Sequence, residues 1–282
     1  MRQPFYTLYL LVLLLLLLCP WQILSQGHLR IINGSAAKPK QLPYQVALHV
    51  YFGNSGDEPS LCGGTILTKR WILTAAHCLQ EPDTNLLKVI VTAGALNKTR
   101  KDEPGHIELL VRRKDTIVHP LYDRHTVAND IALIRLPKDL KLGAYAQPAR
   151  LPRGKNKFNL NGRSAISSGW GLTAKQRPTD ILQYLNVKII PNKLCERLWN
   201  KQLNGERKLI LDSFLCIDSK GGLPCRGDSG GPLVLNDGSL TVVGIVSHGY
   251  DDKCQLQLPD IFTRVASFID WIEQHTGRLS KA

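Results

Sequence analysis

The sequence predicts an all-β fold of sandwich or barrel type that closes on one C-terminal α-helix, and three observations predict it. Short alternating or β-branched runs recur from residue 31 onward. Turn formers separate them throughout, with 23 Gly and 16 Pro in the chain. Helical spacing of apolar residues is clear only near the end. Many short strands, frequent turn signals and a lone terminal helix fit that architecture.

Taken in order, Tyr44, Val46, Leu48 and Val50 alternate with Gln45, Ala47 and His49, the period of a half-buried strand. Residues 88–92 and 241–246 are β-branched runs flanked by turn formers. Val265, Phe268, Ile269 and Ile272 follow helical spacing, and Gly277 supplies a stop. The 282 residues, 43% of them hydrophobic, suffice for one large all-β unit or two modest lobes. A charged fraction of 21% excludes wholesale disorder. No repeat or low-complexity tract follows the first 25 residues.

The leucine-rich run from Leu8 to Cys19 follows Arg2 and is capped by Pro20. It reads as a signal peptide over residues 1–25, cut near Ser25–Gln26. The rival, a signal anchor, needs ~20 apolar residues to span a bilayer, and Pro20 and Gln22 interrupt this run. The expectation is a secreted, extracellular protein with no stable membrane anchor. Cys19 lies within the signal. The other six cysteines, Cys62, Cys78, Cys195, Cys216, Cys225 and Cys254, suit disulfides in an exported chain rather than free thiols. Spacing leaves about 15 pairings open. No Cys/His cluster has zinc-ligand spacing, so no metal and no cofactor is expected.

Three segments carry chemistry. Gly227-Asp228-Ser229-Gly230-Gly231-Pro232 offers a nucleophile loop, Thr74-Ala75-Ala76-His77-Cys78 a base, and Asn129-Asp130-Ile131 a carboxylate. A serine hydroxyl is inert near neutral pH unless a base takes its proton during attack. An imidazole, with an ordinary pKa of ~6.5, suits that task. Each residue alone has a bland reading: a packed histidine, a turn-capping aspartate, a chance glycine-rich loop. Their order, His77, Asp130, Ser229, is one of the known triad orders. The same loop fits the G-x-S-x-G elbow, but that fold places its Asp and His after the serine and needs a βαβ pattern. Only His248 and His275 lie downstream, and the pattern is missing.

With the junction Arg30-Ile31-Ile32-Asn33-Gly34, these segments resemble the chymotrypsin/trypsin family of secreted serine endopeptidases from Ile31 to about Gly277. Asp260, Cys216-Ile217-Asp218-Ser219 and Phe262-Thr263-Arg264-Val265 are similar to the brachyurin, or crustacean collagenase, members. The resemblance implies two six-stranded antiparallel barrels packed across a cleft. They would lie within a peptidase domain at 31–282 and divide near 136–143. It implies Ser229 as nucleophile, His77 as base, Asp130 as its orienting carboxylate, and the N–H groups of Gly227 and Ser229 as the oxyanion hole. It implies disulfides Cys62–Cys78, Cys195–Cys216 and Cys225–Cys254. It implies a prosegment at 26–30, cleaved after Arg30 by an activating protease, so that the Ile31 amine pairs with Asp228. The implied partners are protein or peptide substrates and protein inhibitors of proteases; the chain would act as a monomer, with no nucleic acid.

The chain departs from the family pattern around the substrate pocket. Leu223, followed by Pro224, stands where trypsin-like members carry a basal aspartate, so strict Arg/Lys cleavage is not expected. Asp260 stands on the opposite wall, where trypsin and chymotrypsin have glycine. It either attracts a basic side chain or, solvated or neutralised, leaves an apolar or mixed preference, which is the expectation favoured. Ser247 and Gly249 match residues that support the triad and bind substrate backbone; His248 replaces a tryptophan. The stretch Ala95 to Glu103 carries Lys98, Arg100 and Lys101, unsuited to calcium, which needs oxygen ligands, and Pro259 removes the tyrosine that accompanies sodium activation. Asn33 and Asn97 head glycan acceptor strings.

The net charge is +13, and loss of residues 1–30 removes Arg2 and Arg30 and no acid, leaving +11. The basic runs at 98–101 and 112–114 read as solvated loops before they read as a polyanion site. A protease-like binding protein without catalysis is the rival from another class; such proteins lack a triad member, and none is missing.

Overall fold

In the computed structural model, residues 34–53, 58–152, 159–173, 176–203, 207–250, 254 and 258–278 are described. The signal segment, Arg30, Ile31 and Asn33 lie outside them. After the two-residue β1 (Ser35–Ala36), the alternating segment becomes β2 (Gln45–Phe52). It pairs antiparallel with β3 (Ser60–Ile66), which turns into β4 (Trp71–Thr74), and with β5 (Leu86–Ala93). β6 (Ile107–Arg112), β7 (Thr116–Val118) and β8 (Ala132–Arg135) complete a sheet ordered β6-β5-β2-β3-β4-β8-β7. Val46, Leu48 and Val50 are fully buried, as the alternation requires, but so are Gln45 and Ala47. The first half of β2 is covered on both faces because the second sheet packs there: Ser168 Oγ donates to Gln45 Oε1 at 2.6 Å.

The second sheet contains β9 (Ser164–Gly169), β10 (Gln183–Ile190), β11 (Phe214–Asp218), β12 (Pro232–Leu235), β13 (Val242–His248) and β14 (Ile261–Arg264). β9 pairs with both β10 and β12, which closes six strands into a barrel, and β1 adds to β10. The expected pair of closed barrels therefore holds for this sheet. The first is a curled half-barrel. β6 and β7 are joined by the short 3-10 turn Arg113–Asp115, yet pair only with β5 and β8 respectively. β7 pairs with β8 over all three of its residues, and among the described residues no pairing joins it to β6, so the sheet stays open there.

Among the described residues two α-helices flank the sheets. α1 (Asn192–Gln202) is a correction to the reading that only the C-terminus is helical. Its apolar residues, Leu194, Cys195, Leu198 and Trp199, have helical spacing, but only Cys195 and Trp199 are buried and Leu198 is exposed. Tertiary anchors hold it: the Cys195–Cys216 disulfide to β11, and Trp199 Nε1 donating to Pro259 O at 2.8 Å. α2 (Ile269–Thr276) follows the predicted spacing. Val265, Phe268 and Ile272 enter the same buried cluster as β2, β4, β5 and β8, so the C-terminus locks onto the first sheet. The remaining disulfides are Cys62–Cys78 and Cys225–Cys254. Among the described residues no helix is long and apolar enough to cross a membrane.

Candidate active site

His77 follows β4 and Asp130 precedes β8, strands that pair directly, with Thr74 opposite Ala132. That pairing brings residues 53 positions apart into contact. His77 Nδ1 lies 2.8 Å from Asp130 Oδ2, and the His77 backbone N–H donates to Oδ1 at 2.9 Å. Ser247 Oγ, from β13 of the other sheet, donates to Oδ2 at 2.6 Å, and Thr263 Oγ1 donates to the Asp130 carbonyl at 2.8 Å. Burial alone would raise the Asp130 carboxyl, but the nearby His77 charge and these donors outweigh it and hold the group below its usual range. Burial would likewise lower His77, yet the Asp130 charge and hydrogen bond prevail and lift the imidazole above its ordinary value. The His77 side chain remains 29% exposed, toward the groove.

Ser229 reaches that groove from the loop between β11 and β12. Its position is set by glycines that let the two sheets approach. Gly63 N–H of β3 donates to Ser229 O at 2.7 Å, and Gly230 N–H donates to Val246 O of β13 at 2.8 Å. Gly230 has φ +76°, and a Cβ there would lie 2.2 Å from Thr74 Oγ1 and 2.7 Å from Gly63 O. Only glycine adopts that conformation in that space without strain. Gly227, at φ +95°, would bring a Cβ within 2.9 Å of Gly171 Cα. The N–H groups of Gly227 and Ser229 donate to no described residue. A groove of about 880 Å³ is lined by His77, Gly227 and Ser229, with Glu81, Arg124 and Arg226 at its sides.

Asp228 points the other way, into the protein. Its Oδ1 accepts from Gly171 N at 2.8 Å and its Oδ2 from Cys225 N at 3.0 Å. Full burial pushes the carboxyl up to about 6, only partly offset by the Cys225 and Gly171 N–H groups.

Ser229 and Arg226 also line a side pocket of about 210 Å³ with Leu223, Pro224, Ser247, His248, Gly249 and Asp260. The sequence-predicted pocket residues are thus brought together. Leu223 is 3% exposed and packs on the Cys225–Cys254 disulfide and Leu172. Asp260 is 6% exposed, so of the two states weighed for it in the apolar reading, solvated or neutralised, the solvated one does not hold. Its Oδ1 occupies the space of a side chain at Gly249, where a Cβ would be 2.6 Å away. Cys62, His77 and Cys78 also present donor atoms within 4.8 Å of one another. The two sulfurs are bonded to each other, so this trio offers no thiolate for a metal.

Sequence reasoning missed the Ser168–Gln45 bridge, Thr263 beneath Asp130, and the glycine seats around Asp228. The Gly169-Trp170-Gly171 string was the one visible signal of the last. Lys98, read as a solvated cation, is buried; its Nζ donates to Thr179 O at 2.6 Å and to Asp180 Oδ1 at 3.0 Å, tying its loop to the second sheet.

A curled sheet and a barrel meet here, with an imidazole–carboxylate pair and a glycine-seated serine in one groove between them, the residue types a serine-dependent hydrolase needs. The family model for trypsin matches residues 31–272, and the chain belongs to that family. It is 37% identical over 252 residues to a chymotrypsin of Phaedon cochleariae, covering 88% of this chain and 83% of the relative. It is 36% identical to brachyurin of Leptuca pugilator, covering 88% and 99%. It is 35% identical to a collagenase of Hypoderma lineatum, covering 92% of each. A solved collagenase structure superposes with a TM-score of 0.75 at 34% identity, covering 87% of this chain and 98% of that one. The chain is a chymotrypsin-like serine endopeptidase.

Proposed function

We propose that this chain is the exported zymogen of an endopeptidase that works through Ser229, His77 and Asp130. The 2.8 Å contact of His77 Nδ1 with a buried Asp130, beside Ser229 in one groove, carries the reading. Ser229 Oγ attacks the scissile carbonyl while His77 Nε2 takes its proton. The oxyanion accepts hydrogen bonds from the N–H groups of Gly227 and Ser229. His77 then gives the proton to the departing amine, leaving an acyl-enzyme that water hydrolyses by the same steps. Asp130 keeps the imidazole in the Nδ1–H tautomer and stabilises the imidazolium.

Activation follows cleavage after Arg30 by another protease, which frees the Ile31 amine. Asp228 is a buried carboxylate whose only donors among the described residues are two backbone N–H groups, and a cation is the missing complement. Leu223 at the base and the buried Asp260 on the wall favour apolar or mixed side chains over strictly basic ones. The leader favours secretion, and proteins are the substrates. A fluorophosphonate probe tests the reading: it should label Ser229 after cleavage at Arg30 and not before. Full turnover by an uncleavable Arg30→Gln variant would overturn the activation step, and an unlabelled Ser229 in the cleaved chain would overturn the catalytic one.

A further inference from the structure

Ser247 Oγ stands 2.6 Å from Asp130 Oδ2 and 3.1 Å from His248 Nδ1. A serine hydroxyl has one hydrogen to give. Asp130 is ionised and already accepts from His77, so the Ser247 hydrogen goes to Asp130. The 3.1 Å contact must then take its hydrogen from His248 Nδ1. That fixes His248 as the neutral Nδ1–H tautomer. Burial pushes this ring down to about 3, and the charge of Lys208 acts in the same direction. Its Nε2 is buried with no hydrogen-bond partner among the described residues, and the ring stands edge-on to Phe214 at 5.6 Å. Among the described residues, the bond to Ser247 is therefore the ring's one polar tie.

We propose that His248 is a positioning residue: its Nδ1–H donates to Ser247, and through that hydroxyl it aims and tunes the carboxylate that orients His77. The proposal rests on the catalytic reading above. Two imidazoles then act on one carboxylate, His77 directly and His248 through a hydroxyl. Hydrogen bonds in series polarise one another, so donation into Ser247 Oγ strengthens its donation to Asp130. More of the carboxylate charge is drawn toward Ser247, and less is left to raise His77. The ring also holds the Ser247 rotamer, and with it the plane of the Asp130 carboxyl. Asp130, His77 and Lys208 act on His248 through their charge, and Asp260, Arg226 and Tyr250 line the side pocket with it. Glu81 and Arg124 line the groove beside His77. All eight stay unchanged in the variants below.

The test is the pH profile of kcat/KM for cleaved protein. His248→Phe keeps a ring but removes the donor, and it should move the acid limb up by about 0.3–0.5 of a pH unit, with kcat lowered about 3- to 10-fold. His248→Asn returns an N–H donor near the same place and should restore the limb. In a Ser247→Ala background, His248→Phe should have no further effect on the limb, because the effect travels through that hydroxyl. A His248→Phe variant that changes only KM or Tm makes the ring mere packing and overturns the proposal, as does a shift that survives in the Ser247→Ala background. Nitrogen-15 NMR of the unmutated protein gives a readout that needs no variant to fold: Nδ1 of His248 should carry the hydrogen from pH 5 to pH 9, and an Nε2–H tautomer overturns the proposal. If the unmutated protein fails to label at Ser229, the catalytic reading fails instead, whatever the tautomer.

Discussion

Gly171 donates its N–H to Asp228 Oδ1 over 2.8 Å, and a methyl group on the same glycine would sit 2.6 Å from that carboxyl. One residue thus both binds the carboxylate and makes room for it. Gly169 presses as closely, with Asp228 Oδ1 2.2 Å from where its Cβ would be. Gly171→Ala should therefore destabilise the protein by about 1–3 kcal/mol through overpacking. It should also lower turnover, because displacing Asp228 displaces Ser229 beside it. Thermal unfolding and kcat/KM of the variant check this; an unchanged Tm with full activity would contradict the contact.

Asp228 also makes a pH prediction for the uncleaved chain. Its folded pKa of about 6 lies above the ordinary ~3.9 of an aspartate. The folded state then binds the proton more tightly than the unfolded state. This group's contribution to stability is full below about pH 4, falls as pH rises toward 6, and is flat beyond. The loss amounts to about 2–3 kcal/mol at 1.36 kcal/mol per unit. Urea titrations of uncleaved Asp228→Asn and parent should show their stability difference growing by that amount between pH 4 and pH 7. A difference that stays constant with pH would rule out the raised carboxyl.

At the His77–Asp130 pair, the Asp130 charge and hydrogen bond lift His77 above its ordinary value against the effect of burial. Because the base works only when neutral, kcat/KM should rise with pH through a midpoint above ~6.5. Asp130→Asn removes the lifting charge. It should shift that midpoint down and lower kcat by about 10⁴-fold. An alkaline limb should follow from the Ile31 amine, whose pairing with Asp228 fades as pH rises through its raised pKa. Activity constant from pH 5 to pH 11 would sink both assignments.

In the substrate pocket, the buried Asp260 beside Gly249 is, among the described residues, the one acid in the lining with Leu223. A positional-scanning peptide library should show an apolar or mixed preference at the residue before the cut bond. Asp260→Ala should lower the remaining cleavage after Lys or Arg by about 10-fold or more, since an ion pair in a desolvated pocket is strong. Apolar substrates should be nearly unaffected. Strict Arg/Lys cleavage by the unaltered protein would refute the role given to Leu223.

Much of this was legible before any coordinates. Alternation across Val46, Leu48 and Val50, the spacing of Phe268 and Ile272, and the turn formers between strands are local signals that act over a few residues. The triad candidates were legible because few residue types do their chemistry. α1 was legible in Leu194, Cys195, Leu198 and Trp199, which have helical spacing, although the reading above placed its one clear helix at the C-terminus; a disulfide and an indole hydrogen bond fix it to the second sheet. The half-barrel was not, because strand closure depends on pairing geometry between β6 and β7 that no pattern in either strand encodes.

By itself the sequence determined the all-β class, the six cysteines available for pairing, and a histidine, an aspartate and a serine of the types acyl transfer needs. Only the tertiary structure decided that Ser247, 117 positions from Asp130, donates to it, that His248 stands behind that serine, and that Asp228 turns inward between two glycines. The reason is physical. Propensity and alternation are read along the chain, whereas a hydrogen bond at 2.6 Å between two sheets exists only once packing has set the distance between them.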